Sequence, residues 1–383
     1  MRFGHCAIAL GLLTLTVRAG AQTMPEKVPA DALVYVGWEG SVALGKSYDA
    51  SHLKGMIDAL GLKEYIAAAL QKQQQGRDAA KLEQEQLAQD LFTAVSKSPT
   101  VFYCGPFDFS VQPPRPRIAV FSKVGAADAT ALAARLNKAA KDSTDPKKQP
   151  TEASAEQEML TVLVGDAADL KTRLAGAKEH SLSTLKEFQD AMNSLSGAKH
   201  EQAPACVFIN AELALQSINE GVAASDNAQA RMGWPKVVDA LGLDAIRNMA
   251  WIGRFDGADW TNDSLVSFTA KRSGLAGFLD NKPLSADALK MIPKNATVAS
   301  VIRFDGVRLL NDIRAAATRA DERGAQIFDA GLNQLFFFTG VDFQKDLLPA
   351  LSDEFVIYAA PDADGKSVRG LTLVNTGQSH SQV

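Results

Sequence analysis

The sequence predicts an α+β protein whose sheets are antiparallel or mixed and are covered by helices. Three observations predict this class. Strand-like and helix-like runs alternate, strand-like runs lie next to each other at hairpin spacing, and one order of elements recurs along the 383 residues. A doubly wound parallel sheet would instead place a helix between successive strands. The length predicts two or three domains.

The composition limits the class of protein and the kind of partner. Apolar residues make up 46% of the chain and charged residues 22%, which are ordinary values for a globular protein. The formal net charge of −4 argues against nucleic acid or anionic lipid as the main partner. Three cysteines are too few for a disulfide scaffold, and no pair of them has the spacing of a zinc site.

Residues 1–21 are predicted to be a secretory signal peptide. Arg2 forms a short basic region, residues 6–17 form an apolar run, and Ala19-Gly20-Ala21 provides the small residues of a cleavage site. Cleavage after Ala21 would leave 38 basic and 44 acidic residues in the mature chain. The sequence therefore predicts an exported protein, periplasmic or extracellular, without a membrane span after cleavage. An uncleaved membrane anchor is the alternative.

Two cysteines, Cys104 and Cys206, would remain after cleavage. Both lie in apolar, strand-like runs. In an oxidising compartment the two cysteines can form a disulfide. In an oxidising or a reducing compartment, each can instead serve as a small buried side chain. The sequence leaves both interpretations open.

Internal similarity is the most informative feature of the chain. Three segments, 29–38, 204–210 and 293–304, begin with proline, continue into β-branched and aromatic residues, and lead into a helix start. A proline suits the first position of a strand because it cannot donate a hydrogen bond to a central one. Each segment is therefore predicted to be a strand followed by a helix.

Two further landmarks follow each of these strands. The string Asp-Ala-Leu-Gly-Leu occurs at 58–62 and 239–243, with a looser version at 339–342, and its glycine suits the C-terminal cap of a helix. Three hairpins are then predicted, which pair 101–106 with 117–122, 249–254 with 264–269, and 355–360 with 368–374. Helices are predicted after the first two hairpins, at 126–141 and at 274–280 with 285–292.

The predicted unit is therefore a strand, two helices and a hairpin, and it gives three domains after the signal peptide. They are 22–200 with a Gln-rich helical insert at 62–97, 201–292, and a shorter third unit at 293–383. The first domain also contains a polar loop at 142–158, a strand at 160–164, and helices at 166–177 and 183–195.

Motifs for chemistry are missing from the sequence. It has no nucleophile elbow, P-loop or dinucleotide fingerprint, and the histidines of the mature chain lie in polar contexts without metal-ligand spacing. Those histidines are His52, His180, His200 and His380. The Asp-Ala-Asp-Gly string at 362–365 lacks the later ligands of a calcium loop and is predicted to be a turn. No catalytic residue, cofactor or metal is predicted.

Carboxylates and tryptophans are the residues of this sequence that could build a hydrolase site or a sugar-binding surface. Asp353 and Glu354 are adjacent, and successive strand residues point to opposite faces, so we do not expect them to converge on a substrate. A glycosidase-type pair would need carboxylates from distant segments. Trp260 is the best candidate for an exposed aromatic, with a clamp on the neighbouring hairpin as the simpler interpretation, and Trp251 is predicted to be core.

Two segments resemble an uncharacterised family of exported proteins. The segment from Pro29 to Tyr35 (Pro-Ala-Asp-Ala-x-x-Tyr) and the Gly-Val-Asp segment from 340 to 354 resemble a family of exported bacterial proteins, planctomycete-like and cyanobacterial, that is defined as a domain of unknown function. The resemblance spans most of the mature chain and is strongest at 293–375. Ser352 departs from it, because a glycine is expected there. The resemblance implies export and an α+β fold, and it implies no activity.

The sequence thus favours a non-catalytic, exported binding or scaffold protein of the periplasm or cell envelope, with a protein or envelope ligand as its partner. The alternative is an envelope hydrolase with a dispersed carboxylate site. A pocket in which carboxylates of different units converge with raised pKa values would favour that alternative.

Overall fold

A computed structural model describes most of the chain between residues 24 and 375. The described residues are 24–59, 79–111, 114–143, 149–196, 203–269, 272, 274–279, 282–296, 298–303, 305–351, 353–360 and 372–375. The predicted signal peptide, the first Asp-Ala-Leu-Gly-Leu string beyond Ala59, and the turn at 361–365 lie outside them.

The chain forms two compact units. The first contains the described residues of 1–224 and 247–267, and the second contains those of 225–246 and 268–383. These units do not coincide with the predicted domains 22–200, 201–292 and 293–383. The segment predicted as the second domain contributes its strands to the first unit and its second helix to the other unit.

An eight-stranded antiparallel sheet is the centre of the first unit. Its order is β4-β5-β3-β2-β1-β6-β7-β8. The strands are β1 (Val34–Trp38), β2 (Thr100–Asp108), β3 (Arg115–Lys123), β4 (Thr151–Glu156), β5 (Met159–Val164), β6 (Ala205–Ile209), β7 (Ile246–Asp256) and β8 (Asp259–Phe268). The first strand, β1, pairs with β2 on one side and with β6 on the other.

Seven of the α-helices that the structure describes belong to the first unit. They are α1 (Gly45–Asp49), α2 (His52–Ala59), α3 (Ala79–Lys97), α4 (Ala126–Lys141), α5 (Ala167–Gly176), α6 (Lys186–Ser196) and α7 (Ala211–Ala224). Short 3₁₀ turns occur at Pro25–Lys27, Ser41–Leu44 and Leu182–Thr184.

Helices cover both faces of the large sheet. On one face, α5 and α6 bury Leu170 and Phe188 against Tyr35 and its neighbours. On the other face, α3 and α4 bury Leu87 and Leu132 against Val162 and its neighbours. Side chains alternate along a strand, and β5 accordingly supplies Val162 to one core and Leu163 to the other.

The described residues of the second unit form a small sheet and four α-helices. The sheet has the order β11-β10-β9 and is antiparallel, with β9 (Val298–Arg303), β10 (Glu354–Ala359) and β11 (Thr372–Asn375). The helices are α8 (Ala228–Leu241), α9 (Ala286–Lys290), α10 (Gly306–Ala320) and α11 (Gly324–Thr339). Turns of 3₁₀ helix lie at Leu243–Ala245, Gly274–Leu279 and Leu348–Ala350, and a π-helical turn lies at Phe343–Leu347.

The α+β class is confirmed, together with much of the local structure. The three predicted hairpins are β2–β3, β7–β8 and β10–β11, and the helix predicted at 126–141 is α4. Gly242 and Gly340 terminate α8 and α11 in the left-handed conformation, with φ of 69° and 70°, as the cap prediction requires. Within the insert predicted to be helical at 62–97, α3 is observed, and residues 62–78 lie outside the described residues.

Two local predictions are wrong. Residues 151–156 were expected in a polar loop and form β4, an edge strand whose polar composition is compatible with having one unpaired edge. The segment predicted as a helix at 274–280 is a 3₁₀ turn over Gly274–Leu279, and it begins at a glycine with φ of 56°. A residue in that conformation does not continue a right-handed helix.

The sequence leaves open whether Cys104 and Cys206 pair, and in the structure they form no disulfide with each other. Cys104 lies opposite Val34, and Cys206 lies opposite Gly37, on the two strands that flank β1. Residues three apart on a strand point to opposite faces, so the two sulfur atoms are separated by the sheet itself. A disulfide needs Cβ atoms about 4 Å apart and directed towards each other, which this arrangement excludes.

Gly165 provides a test of the connection between β5 and α5. Its φ is 118°, and a Cβ there would lie 1.9 Å from the carbonyl oxygen of Pro116. We expect Gly165→Ala to lower the free energy of unfolding by about 2–4 kcal/mol, because strain and a backbone clash combine. Gly176→Ala is the control, since a Cβ there meets nothing within 4 Å. Urea denaturation measures both, and equal stabilities of the two variants would contradict this geometry.

Candidate functional site

A polar pocket lies in the first unit where β6 ends and β7 begins. Ile209 pairs with Met249, so the next step of the same register places Asn210 opposite Asn248. Asn210 ends the strand and starts α7, because its Oδ1 accepts a hydrogen bond of 3.0 Å from the N–H of Leu213. Its own N–H donates to the carbonyl of Leu33 at 3.0 Å. The sheet and a helix cap therefore fix this wall of the pocket.

The pocket, called here the Asn248 pocket, has a volume of about 240 Å³ and a largely polar lining. Two leucines, Leu185 and Leu213, supply its apolar part. Its polar lining residues are Glu187, Asn210, Glu212, Gln216, Arg247 and Asn248. A cavity of this size accommodates a small molecule rather than a protein segment.

Asn248 is the unusual member of this lining. Its residue is only 3% exposed, and its Oδ1 has no hydrogen-bond partner among the described residues. A buried carbonyl oxygen left without a donor costs about 1–3 kcal/mol of stability. A ligand that donates an N–H or O–H to this atom would recover that free energy.

Two acidic side chains reach the pocket from two different helices. Glu187 lies in the first turn of α6, and Glu212 lies in the first turn of α7. Carboxylates are favoured at helix N-termini, which explains why both positions tolerate a charge. With the guanidinium of Arg247 and the amides of Asn210, Gln216 and Asn248, the pocket offers hydrogen-bond acceptors and donors together. Such a lining suits a polyhydroxylated or amino-bearing small molecule.

A second polar cluster, called here the Asp31–Arg117 network, joins Asp31, Tyr103, Arg117, Asp169 and Arg173 through linked ion pairs and a hydrogen bond. The Tyr103 hydroxyl donates to Asp31 Oδ1 at 2.9 Å, and Arg173 contacts Asp31 Oδ2 at 2.5 Å. Arg173 Nε also contacts Asp169 at 3.2 Å, and Arg117 Nε donates to Asp169 at 2.5 Å. These contacts tie the segment before β1 to β2, β3 and α5.

The protonation of this network suits a structural role. Burial raises the pKa of the Tyr103 phenol, and the neighbouring Asp31 carboxylate raises it further, so the hydroxyl keeps its proton. Burial opposes ionisation of Asp169, but the hydrogen bond and charge of Arg117, with those of Arg173, outweigh it and lower the pKa of that carboxyl. Neither group is poised to exchange a proton near neutral pH.

The adjacent carboxylates at the start of β10 converge on one cation. Arg303 Nε lies 3.3 Å from Asp353 Oδ2, and Arg303 Nη2 lies 2.7 Å from Glu354 Oε1. The premise that the two side chains point to opposite faces is wrong, because Asp353 lies outside the strand and does not follow its alternation. The hydroxyl and N–H of Ser285 donate to Glu354 at 2.6 and 2.5 Å. These hydrogen bonds, against the effect of burial and with the charge of Arg303, lower the pKa of Glu354.

The other residues selected from the sequence do not gather into a site. His52 is exposed, with Nδ1 2.8 Å from Asp259 Oδ1, and His180 is exposed as well. His200 and His380 lie outside the described residues. No group of three described side chains could hold a metal ion. Among the helices that the structure describes, none combines the length and hydrophobicity needed to cross a bilayer.

Trp260 packs against residues of the β7–β8 hairpin in which it lies. Its ring meets Phe255 edge to face at 5.3 Å and lies 6.5 Å from the ring of Trp251. The cluster also includes Trp38, which is 7% exposed. Trp251 is partly buried in this cluster, and Trp260 is not a free stacking platform for a sugar.

Sequence reasoning missed Asn248, although a signal for it was present. Along β7, positions 248, 250 and 252 are buried, and two of them are Ala250 and Ile252. An asparagine on the buried side of an alternating strand is a polar group placed where an apolar one is expected. That pattern was visible in the run Ile-Arg-Asn-Met-Ala-Trp-Ile at 246–252.

Comparisons with protein-family models, with curated proteins and with solved structures found no match for this chain. The geometry of the described residues therefore carries the functional argument.

Replacing Asn248 tests whether its buried Oδ1 lowers the free energy of unfolding. We expect Asn248→Leu to raise the free energy of unfolding by about 1 kcal/mol, because an unsatisfied buried polar group is removed with little change of volume. Asn210→Ala should lower it by about 1 kcal/mol, because a helix cap is lost. Thermal and urea denaturation measure both changes. A loss of stability in Asn248→Leu would mean that its amide is satisfied in solution.

Acid unfolding tests the Asp31–Arg117 network. The folded state lowers the pKa of Asp169 from its usual value of 3.8, so this carboxylate contributes stability above that value and loses its contribution as the pH falls through the folded pKa. We expect wild-type stability to fall more steeply below about pH 4 than that of Asp169→Asn. Glu158→Gln, an exposed turn substitution, is the control. Equal pH slopes in wild type and Asp169→Asn would contradict the ion-pair assignment.

Proposed function

We propose that the protein is an exported, non-catalytic binding protein of the periplasm or cell envelope, and that it takes a small hydroxyl- or amine-bearing ligand in the Asn248 pocket. The observation that carries this proposal is the buried Oδ1 of Asn248, which has no partner in the described part of the chain. A ligand that donates a hydrogen bond to this atom would remove the free-energy cost of burying it without a partner, and the contact would be specific. A scaffold role for the large sheet belongs to the same proposal.

The charge state of the carboxyl groups supports binding over catalysis. A general acid of a hydrolase needs a raised pKa. Six of the described carboxyl groups have a pKa below the ordinary value. They are Asp90, Asp108, Asp169, Asp329, Asp342 and Glu354. The described residues that line the pocket also include no serine, cysteine or histidine to act as a nucleophile or base.

An envelope hydrolase with a dispersed carboxylate site is the second candidate function. Its support is that Glu187 and Glu212, which come from different helices, both line the Asn248 pocket. Turnover of glycan or peptide substrates that is lost in both Glu187→Gln and Glu212→Gln would favour it. Retained ligand binding without turnover in wild type would favour the binding function.

Export and internal repetition are part of the proposal. The segment at 1–21 supports export, and the resemblance to the exported family supports it as well. Repeated units are supported by a shared pairing order, because β1 pairs with β2, β6 with β7, and β9 with β10. Intact-mass analysis of the exported protein tests export: a chain that begins at Gln22 supports it, and a retained segment 6–17 would favour a membrane-tethered protein instead.

The ligand is tested by thermal denaturation against a panel of sugars, polyols, amino acids and polyamines. We expect a binder at about 100 times its dissociation constant to add about 2.7 kcal/mol to the stability of wild type. Asn248→Leu should lose this response, because it cannot accept the ligand's hydrogen bond. Asn193→Leu, an exposed substitution on α6, is the matched control and should keep it. Equal responses in all three proteins would place the ligand elsewhere.

A further inference from the structure

Three strands occupy the same place in the chain's recurring order of elements. β1, β6 and β9 each precede a helical segment and pair antiparallel with the inner strand of the following hairpin. On the edge that does not face its hairpin, each of β1 and β6 pairs with the other. In the described part of the chain, β9 pairs with β10 alone and forms one edge of its sheet.

The exposure of β9 differs from that of its two counterparts. In β1, Val36 is 6% exposed, and in β6, Phe208 is fully buried. In β9, Ala299 and Ser300 are exposed, and Ile302 is 40% exposed. An apolar strand with an open edge and exposed side chains is a surface that recruits another strand.

Charged side chains protect the other long edge strands, β4 and β8, from pairing with a further strand, and β9 has less of this protection. β4 carries Glu152 and Glu156, and β8 carries Asp259 and Asp263. β9 reads Val-Ala-Ser-Val-Ile before its terminal Arg303, which pairs with Asp353 and Glu354. Charged edge residues prevent edge-to-edge pairing, so the composition of β9 permits it.

The pairing of β1 with β6 is accompanied by contacts between the segments that follow these strands. Leu44 and Tyr48, which follow β1, pack in one cluster with Trp251 and Trp260 of the hairpin that follows β6. Reciprocally, Gly221 of α7, which follows β6, lies against the ring of Phe109 at the end of the β2 hairpin. Each strand is thus followed by a segment that covers its neighbour's hairpin.

The helices that follow β9 have an apolar surface without such a cover in the described part of the chain. On α11, Ile327 is 67% exposed, Phe337 is 82% exposed and Phe338 is 74% exposed. A stable dimer buries about 1,600 Å² in total, which a six-residue strand pair does not supply. Phenylalanine side chains bury about 150–250 Å² each, so these side chains from two copies supply much of the remainder.

We propose that β9 pairs with β9 of a second copy of this chain, antiparallel about a two-fold axis near Ser300, as β1 pairs with β6. The sheets of the two copies then join through the order β10-β9-β9-β10. The apolar end of α11 packs on the second copy. A two-fold axis is required because the same edge serves as both partners. The dimer does not depend on the Asn248 pocket.

Sedimentation and light scattering of the purified wild-type protein test the dimer over micromolar concentrations. We expect a dimer in wild type and a dissociation constant at least about tenfold weaker in Ser300→Lys, because two like charges would meet across the axis. Ser154→Lys, the same substitution at an exposed position of β4, should dimerise as wild type does. A monomeric wild type, or equal dimerisation of both lysine variants and wild type, would overturn the proposal.

Cysteine cross-linking tests the register and the choice of edge. Ser300→Cys should give an intermolecular disulfide under mild oxidation, because residues paired across an antiparallel seam lie within disulfide range. Wild type, which carries the native cysteines, and Ser154→Cys should not. Cross-linking through Ser154→Cys alone would place the dimer seam on β4 and overturn the proposal.

The contribution of α11 is tested separately by Phe337→Ser, which changes an exposed side chain and should preserve the fold. We expect it to weaken the dimer several-fold through lost apolar burial. Unchanged dimerisation in this variant, alongside loss in Ser300→Lys, would overturn the packing of α11 on the second copy.

Discussion

The antiparallel pairing of β1 with β6 is the contact on which the first compact unit depends. It joins segments that are about 170 residues apart, so the entropy of closing that loop must be offset by burial. Tyr35 and Phe208 lie opposite each other in this pair, and both are fully buried. The ring of Phe188 on α6 meets Tyr35 at 5.6 Å and Phe208 at 5.3 Å, edge to face in both cases. Burying each such side chain contributes about 1.5–3 kcal/mol, and the pairing fixes the position of everything attached to the two strands.

The candidate pocket inherits its geometry from this core. Asn248 lies two residues before Ala250 on the buried face of β7, and Asn210 lies two residues after Phe208 on β6. A slip of β6 by one residue would move Phe208 out of the core and Asn210 to the other face. The aromatic contacts that stabilise the sheet therefore also hold the amide in place, and the pocket is preorganised without a dedicated loop.

Local structure was predictable from this sequence, whereas the assembly of the strands was not. The helix at 126–141, the hairpins, and the glycine caps at 242 and 340 depend on short-range patterns that physical chemistry fixes residue by residue. The order of the large sheet depends on pairing between distant segments, for which short-range periodicity carries no information. For the same reason the strands of the predicted second domain joined the first sheet. β4 was missed because an edge strand tolerates a polar sequence, and Asn248 was missed because only the alternation of β7 distinguished it from a surface residue.

Tyr103 and Asn248 are both buried polar side chains of the first unit, and they differ in whether a neighbour satisfies the buried oxygen. The Tyr103 hydroxyl is satisfied by Asp31, whose second oxygen binds Arg173, which in turn holds Asp169, so the cost of burying each group is offset by a neighbour. Asn248 is buried to a similar extent, and its Oδ1 has no such neighbour in the described part of the chain. An apolar residue at 248 would serve the core better, so folding alone gives no reason for an asparagine there. Because sequences retain locally unfavourable groups where function requires them, the Oδ1 of Asn248 is a stronger indication of a binding site than the volume of the pocket around it.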